Sequence, residues 1–60
     1  MTAALPAHVE VVPTVDGTFM VLVNGFQWGP DPARYDASGA NDATWPTEDA
    51  AAAAYREAQS

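Results

Sequence analysis

Three features of this 60-residue chain predict an α+β fold, a three-stranded antiparallel β-meander with one C-terminal α-helix packed on one face. The first is the stretch VEVVPTVDGTFMVLVNGFQW, where Asp16-Gly17 and Asn24-Gly25 separate three apolar runs. The second is TEDAAAAAYREAQ, an alanine-rich run behind a helix-capping threonine. The third is the aperiodic stretch 29–46 between them, whose three prolines and two glycines read as loop. Residues 1–7 read as a flexible tail and residues 8–60 as a single small domain, as a chain of this length allows.

Each element has its own justification. Residues 8–15 are valine-rich and read as a strand. Pro13 lacks an N–H, which places that strand at a sheet edge. Asp16-Gly17 fits a two-residue turn with positive φ at both positions. Residues 18–23 form the second strand, Asn24-Gly25 repeats the turn signal, and residues 26–28 form a short third strand ended by Gly29-Pro30. The stretch from Ala43 to Trp45 has room for a short fourth strand. Thr47 suits an N-cap, because its hydroxyl can accept from an unpaired N–H of the first turn. Glu48 and Asp49 sit at the positive end of the helix dipole. Alanine has the highest helix propensity, and the predicted helix runs over 48–58. Its apolar stripe is Ala51, Ala54, Tyr55 and Ala58, at helical spacing.

Two tight turns would fix the register. Val12 then faces Val21 and Glu10 faces Val23 across the first turn. Val23 faces Phe26 and Val21 faces Trp28 across the second. One face collects Val12, Phe19, Val21, Val23, Phe26 and Trp28. It holds three aromatics, so it is assigned to the core. The opposite face collects Val9, Val11, Val15, Met20, Leu22 and Gln27. A single helix covers one face only. The remaining apolar face is shielded by the long loop or serves a partner.

Composition narrows the function classes. Eight carboxylates, two arginines and no lysine give a net charge of −6. Direct nucleic-acid binding is disfavoured, since it relies on cations meeting phosphates. An anionic membrane surface is disfavoured for the same reason. A basic protein partner, such as the protein of a nucleic-acid-binding complex, is favoured through field complementarity. No apolar run approaches a membrane span, and the first residues lack the pattern of a secretory signal, so a cytoplasmic location is the expectation. The chain has no cysteine, hence no disulfide to staple a small core.

Nothing in the sequence forms a catalytic constellation, and no enzyme activity is expected. His8 has no serine or cysteine nucleophile in a supporting context. Glu48 and Asp49 are helix neighbours that do not face one another. Counted from Asp36, the loop has Ser38 at position 3, Gly39 at position 4 and Ala40 at position 5, which breaks the EF-hand pattern. The glycines stand singly in turns, so no phosphate-cradling loop and no cofactor are expected.

The strand-strand-strand-helix order resembles the arm domains of phage-type integrases. Those domains read DNA through a basic sheet. This chain is acidic, so that function does not carry over. By size and charge the chain is similar to phage-encoded inhibitors of host nucleic-acid machinery such as anti-CRISPR proteins. The expected role is therefore a small acidic protein-binding module or inhibitor that occupies a basic surface of a larger partner. Asp31, Arg34, Tyr35, Asp36, Asp42, Glu48, Asp49, Met20 and Leu22 are its candidate contacts. In that set Tyr35 has the alternative of packing the loop onto the domain, and Arg34 of pairing with Asp31 or Asp36. The alternative to the module is a structural homo-oligomer, at its simplest a homodimer, joined through the helix-free sheet face.

Overall fold

Strand β1 (Val9–Pro13), strand β2 (Phe19–Val23) and strand β3 (Phe26–Trp28) form an antiparallel sheet in the order β1-β2-β3. A single 3-10 turn (Pro32–Arg34) follows, and helix α1 (Glu48–Gln59) closes the chain. These assignments come from a computed structural model, which describes residues 5–59. Of the predicted tail, residues 1–4 lie outside the described residues. Leu5, in contrast, packs against the core. The predicted fold class is the observed one, and α1 starts where Thr47 sets it. The Thr47 hydroxyl accepts from the Ala50 N–H at 3.0 Å, and its carbonyl accepts from Ala51 N–H at 3.1 Å. This cap satisfies donors that the first turn leaves without intrahelical partners.

The second turn forms as the sequence predicts. Asn24 and Gly25 both take positive φ, at 53° and 83°, and Val23 pairs with Phe26 and Val21 with Trp28. The first turn differs. Here only Gly17 has positive φ, at 87°. The Thr14 N–H donates to the Thr18 carbonyl at 2.8 Å, so the loop has three residues, Val15 to Gly17. The register becomes Val9↔Val23, Val11↔Val21 and Pro13↔Phe19. It is one residue away from the predicted pairing of Val12 with Val21 and Glu10 with Val23.

A shift of one residue turns every β1 side chain to the other face. Val9 and Val11 therefore belong to the core face, and Val12 leaves it. Val15 belongs to neither, since it sits fully exposed at the turn tip. The physical reason is Glu10. The predicted register would place its carboxylate beside Val23 under the helix, where an unpaired charge is strongly disfavoured. The longer loop leaves Glu10 exposed and buries Val9. The loop is also stabilised locally. The Asp16 carboxylate accepts from the hydroxyls of Thr14 and Thr18, and from the Thr18 N–H at 3.3 Å.

The core is small: Val9, Val21, Ala51 and Tyr55 are buried, with Leu5, Val11, Phe19, Val23, Trp28 and Trp45 packed around them. Val21 at the centre is wholly inaccessible, which contributes about 1.5–3 kcal/mol of transfer free energy. Ala51 is also fully buried, so its bare methyl lets the helix approach the sheet. The helix lies over β1 and β2. Phe26, at the start of β3, is consequently 59% exposed despite its place on the helix side. Trp28 instead stacks on Trp45, with centroids 6.2 Å apart and planes 13° apart, and meets Tyr55 edge-on at 5.1 Å. Such pairs add about 0.5–1.5 kcal/mol each beyond area burial.

Candidate binding surfaces

The stretch 29–46 is an ordered excursion that leaves the sheet at Gly29 and returns at Trp45. It is anchored by Asn41, which is 1% exposed. The Asn41 backbone N–H donates to the Gln27 carbonyl at 2.8 Å. Its side-chain amide donates to the Asp31 carbonyl at 3.0 Å, and its Oδ1 accepts from Ala43 N–H at 3.0 Å. Gly29 is buried beside it, and a Cβ there would lie 2.0 Å from Asn41 Oδ1. The Tyr35 hydroxyl donates to the Gly29 carbonyl at 3.1 Å, and its oxygen accepts from the Gly29 N–H at 3.2 Å. Trp45 and Phe19 then exchange two backbone hydrogen bonds of 2.8 Å. The room for a fourth strand is thus filled by a single bridging residue, in line with β3 on the same side of β2.

Several predicted contact residues serve this loop. Asp31 caps the 3-10 turn, accepting from Ala33 N–H at 2.9 Å, with Pro32 in its first turn. Asp36 accepts from the Ser38 N–H at 2.9 Å, from the Ser38 hydroxyl and from the Ala40 N–H at 3.2 Å. The Ser38 hydroxyl and then the Ala40 N–H hold the Asp36 carboxyl below its ordinary range. In the first hairpin turn, the hydroxyls of Thr14 and Thr18 do the same for Asp16. Arg34 pairs with Asp42, Nε to Oδ1 at 2.7 Å, rather than with the sequence neighbours Asp31 or Asp36. Tyr35 keeps a partly exposed ring while its hydroxyl holds Gly29.

Two surfaces result. Asp31, Arg34 and Asp42 meet Trp45 and Pro30 around an open cleft of about 340 Å³. Asp36 sits on the turn beyond it, and Glu48 and Asp49 are exposed in the first turn of α1. The second surface is the sheet face away from the helix. By the observed register it carries Glu10, Val12, Met20, Leu22 and Gln27. Val12, Met20 and Leu22 are half-buried, and none of them packs on the core cluster. Both predicted sheet residues are on this face. Val12 and Glu10 join them only because of the shifted register.

The sheet edges are occupied in part by the chain itself. The Asn24 N–H donates to the His8 carbonyl and the Thr14 N–H to the Thr18 carbonyl. Alternation then turns the backbone groups of Val9, Val11 and Pro13 outward. Val9 N–H is taken by the Pro6 carbonyl at 3.0 Å, and Pro13 has no N–H. Val11 is left as the outward donor of β1. On the other edge, Asn41 occupies the Gln27 carbonyl. The occupied Val9 N–H and the missing N–H of Pro13 leave β1 with fewer edge donors for a strand of another chain.

No protein-family model, no curated protein and no solved structure matches this chain. The resemblance to integrase arm domains therefore stays at the order of elements. Among the described residues, no helix is long and apolar enough to cross a membrane.

Asn41 and Trp45 are the site residues that sequence reasoning missed as such. Asn41 lies in a polar, aperiodic segment, where nothing separates a buried asparagine from a solvated one. Trp45 reads in sequence as the end of a possible fourth strand, and its role as a cleft wall follows from the excursion's return path.

Proposed function

We propose that this protein is an acidic protein-binding module that docks its helix-free sheet face, with the adjoining carboxylates, on a basic surface of a larger protein. The observation that carries this reading is the pairing of Val12, Met20 and Leu22 with the exposed Glu10 on a face that α1 leaves uncovered. Apolar residues flanked by charge suit a docking patch with an apolar centre and a polar rim. The net charge of −6 selects for basic partners and against a second copy of the chain. A conventional interface takes about 800 Å² per partner. That is a fifth of the accessible surface of 4033 Å², so one face suffices. A nucleic-acid-binding complex is one source of such a basic surface, and an inhibitor would act by covering it.

The test is capture by the immobilised chain from a lysate, followed by washes of rising salt. The comparison is with Leu22→Asp and with a triple Asp→Asn variant at Asp31, Asp36 and Asp42. Asparagine keeps the capping oxygens of Asp31 and Asp36, so the triple variant removes charge while preserving the turns. A captured basic protein should be lost with Leu22→Asp and should elute at lower salt from the triple variant. Identical retention by all three chains refutes the reading. A wild-type dimer that Leu22→Asp converts to a folded monomer, seen by sedimentation, refutes it in favour of self-association.

A further inference from the structure

The cleft beside Trp45 has a property that the docking face does not explain: it already holds a cation. Arg34 of the chain itself sits in it, 2.7 Å from Asp42. The same cleft is lined by a second acidic residue, Asp31, and by Trp45, whose indole is held in place by its stack on Trp28. Carboxylates and a tryptophan ring are the groups that recognise a guanidinium, by charge-assisted hydrogen bonds and by the ring quadrupole. The side chains of Arg34 and Asp42 are 54% and 69% exposed. Exposed pairs of this kind are weak and exchange readily with other partners.

We propose that the cleft receives an arginine side chain of the basic protein partner, and that Arg34 is its internal competitor. The proposal rests on the basic-partner reading and adds the chemistry of one subsite. The incoming guanidinium takes Asp42 from Arg34 and lies against Trp45. The lining carries two carboxylates and one guanidinium, a net charge of −1 that favours a cation over an anion. Arginine is preferred over lysine here, because a planar guanidinium both stacks on the ring and forks onto a carboxylate. Arg34 accordingly has the opposite role to the one its residue type suggests. It restrains binding instead of supplying a contact.

The probe is Gly-Arg-Gly amide, titrated into the full chain while the amide signals of Ala43 and Thr44 and the Trp45 indole signal are followed by NMR. The arginine peptide should shift these signals saturably, and the citrulline peptide, equal in shape but neutral, should not. Removing the competitor with Arg34→Gln should tighten binding about threefold to fivefold, the range set by a weak exposed pair. Arg34→Lys keeps a competing cation and should bind as wild type. Asp42→Asn should weaken binding at least as much as Arg34→Gln strengthens it. Equal binding of the citrulline peptide, or an Arg34→Gln chain that binds no better than wild type, overturns the proposal. If the cleft signals ignore the peptide while Leu22→Asp still abolishes capture of a basic protein, the subsite fails and the docking face stands. If the peptide binds as described and Leu22→Asp changes no capture, the docking face fails alone.

Discussion

Replacing Gly29 by alanine should destabilise the protein sharply, although it adds one methyl group. Gly29 does not have positive φ, so its backbone conformation is open to alanine. On chain entropy alone the change would stabilise by about 0.4–1 kcal/mol. The surroundings reverse that sign. The new Cβ would lie 2.0 Å from Asn41 Oδ1, 2.3 Å from its Cγ and 2.9 Å from the Ala43 Cβ. Asn41 cannot yield without releasing the Asp31 carbonyl and the Ala43 N–H it now satisfies. Overpacking costs about 1–3 kcal/mol, and each buried polar group left unpaired costs a similar amount. A net loss of about 3 kcal/mol follows. A chain of this length has about 3–9 kcal/mol in total, so a third or more of its stability is at stake. The midpoint of thermal unfolding, followed by tryptophan fluorescence, should fall by about 12–24 °C. Asn41→Ala supplies the internal control. With the obstructing amide gone, adding Gly29→Ala should cost far less, a coupling of about 2 kcal/mol in a double-mutant cycle. A Gly29→Ala chain as stable as wild type would refute the packing described for this loop, as would strict additivity with Asn41→Ala.

Further perturbations test other parts of the fold. Thr47→Ala removes the acceptor for the Ala50 N–H and should lower stability by about 1 kcal/mol in urea unfolding, while Thr47→Ser should change it little. Ala51→Leu should cost about 1–3 kcal/mol, because Ala51 is fully buried where the helix meets the sheet. The same change at exposed Ala53 should be tolerated. Asp16 and Asp36 titrate below the ordinary value of 3.8 in the folded chain, held down chiefly by hydroxyl donors. Their stabilising contribution is therefore complete above that value and is lost as pH falls through the lowered folded values. Comparing urea midpoints at neutral pH and at about pH 3, the double variant Asp16→Asn, Asp36→Asn should lose less stability on acidification than wild type does. An unchanged acid limb would remove these two turns as contributors.

Local chemistry alone determined a good deal. Asn24-Gly25 dictates its turn, because both residues tolerate the positive φ that few others accept. Thr47 and the alanines after it dictate where the helix begins and that it is one. The charge balance is a property of composition. Tertiary structure decided which face of β1 is buried. The strand reads VEVVP, with valines on both alternations, and Asp16-Gly17 closes a loop of two or three residues equally well in isolation. The choice is made when the helix covers one side and Glu10 must stay in water. The long excursion was settled in the same way. Its prolines and aspartates announce turns, but its course depends on Asn41 finding the backbone of Gln27, Asp31 and Ala43, groups up to 16 residues apart in sequence that only the assembled sheet brings together.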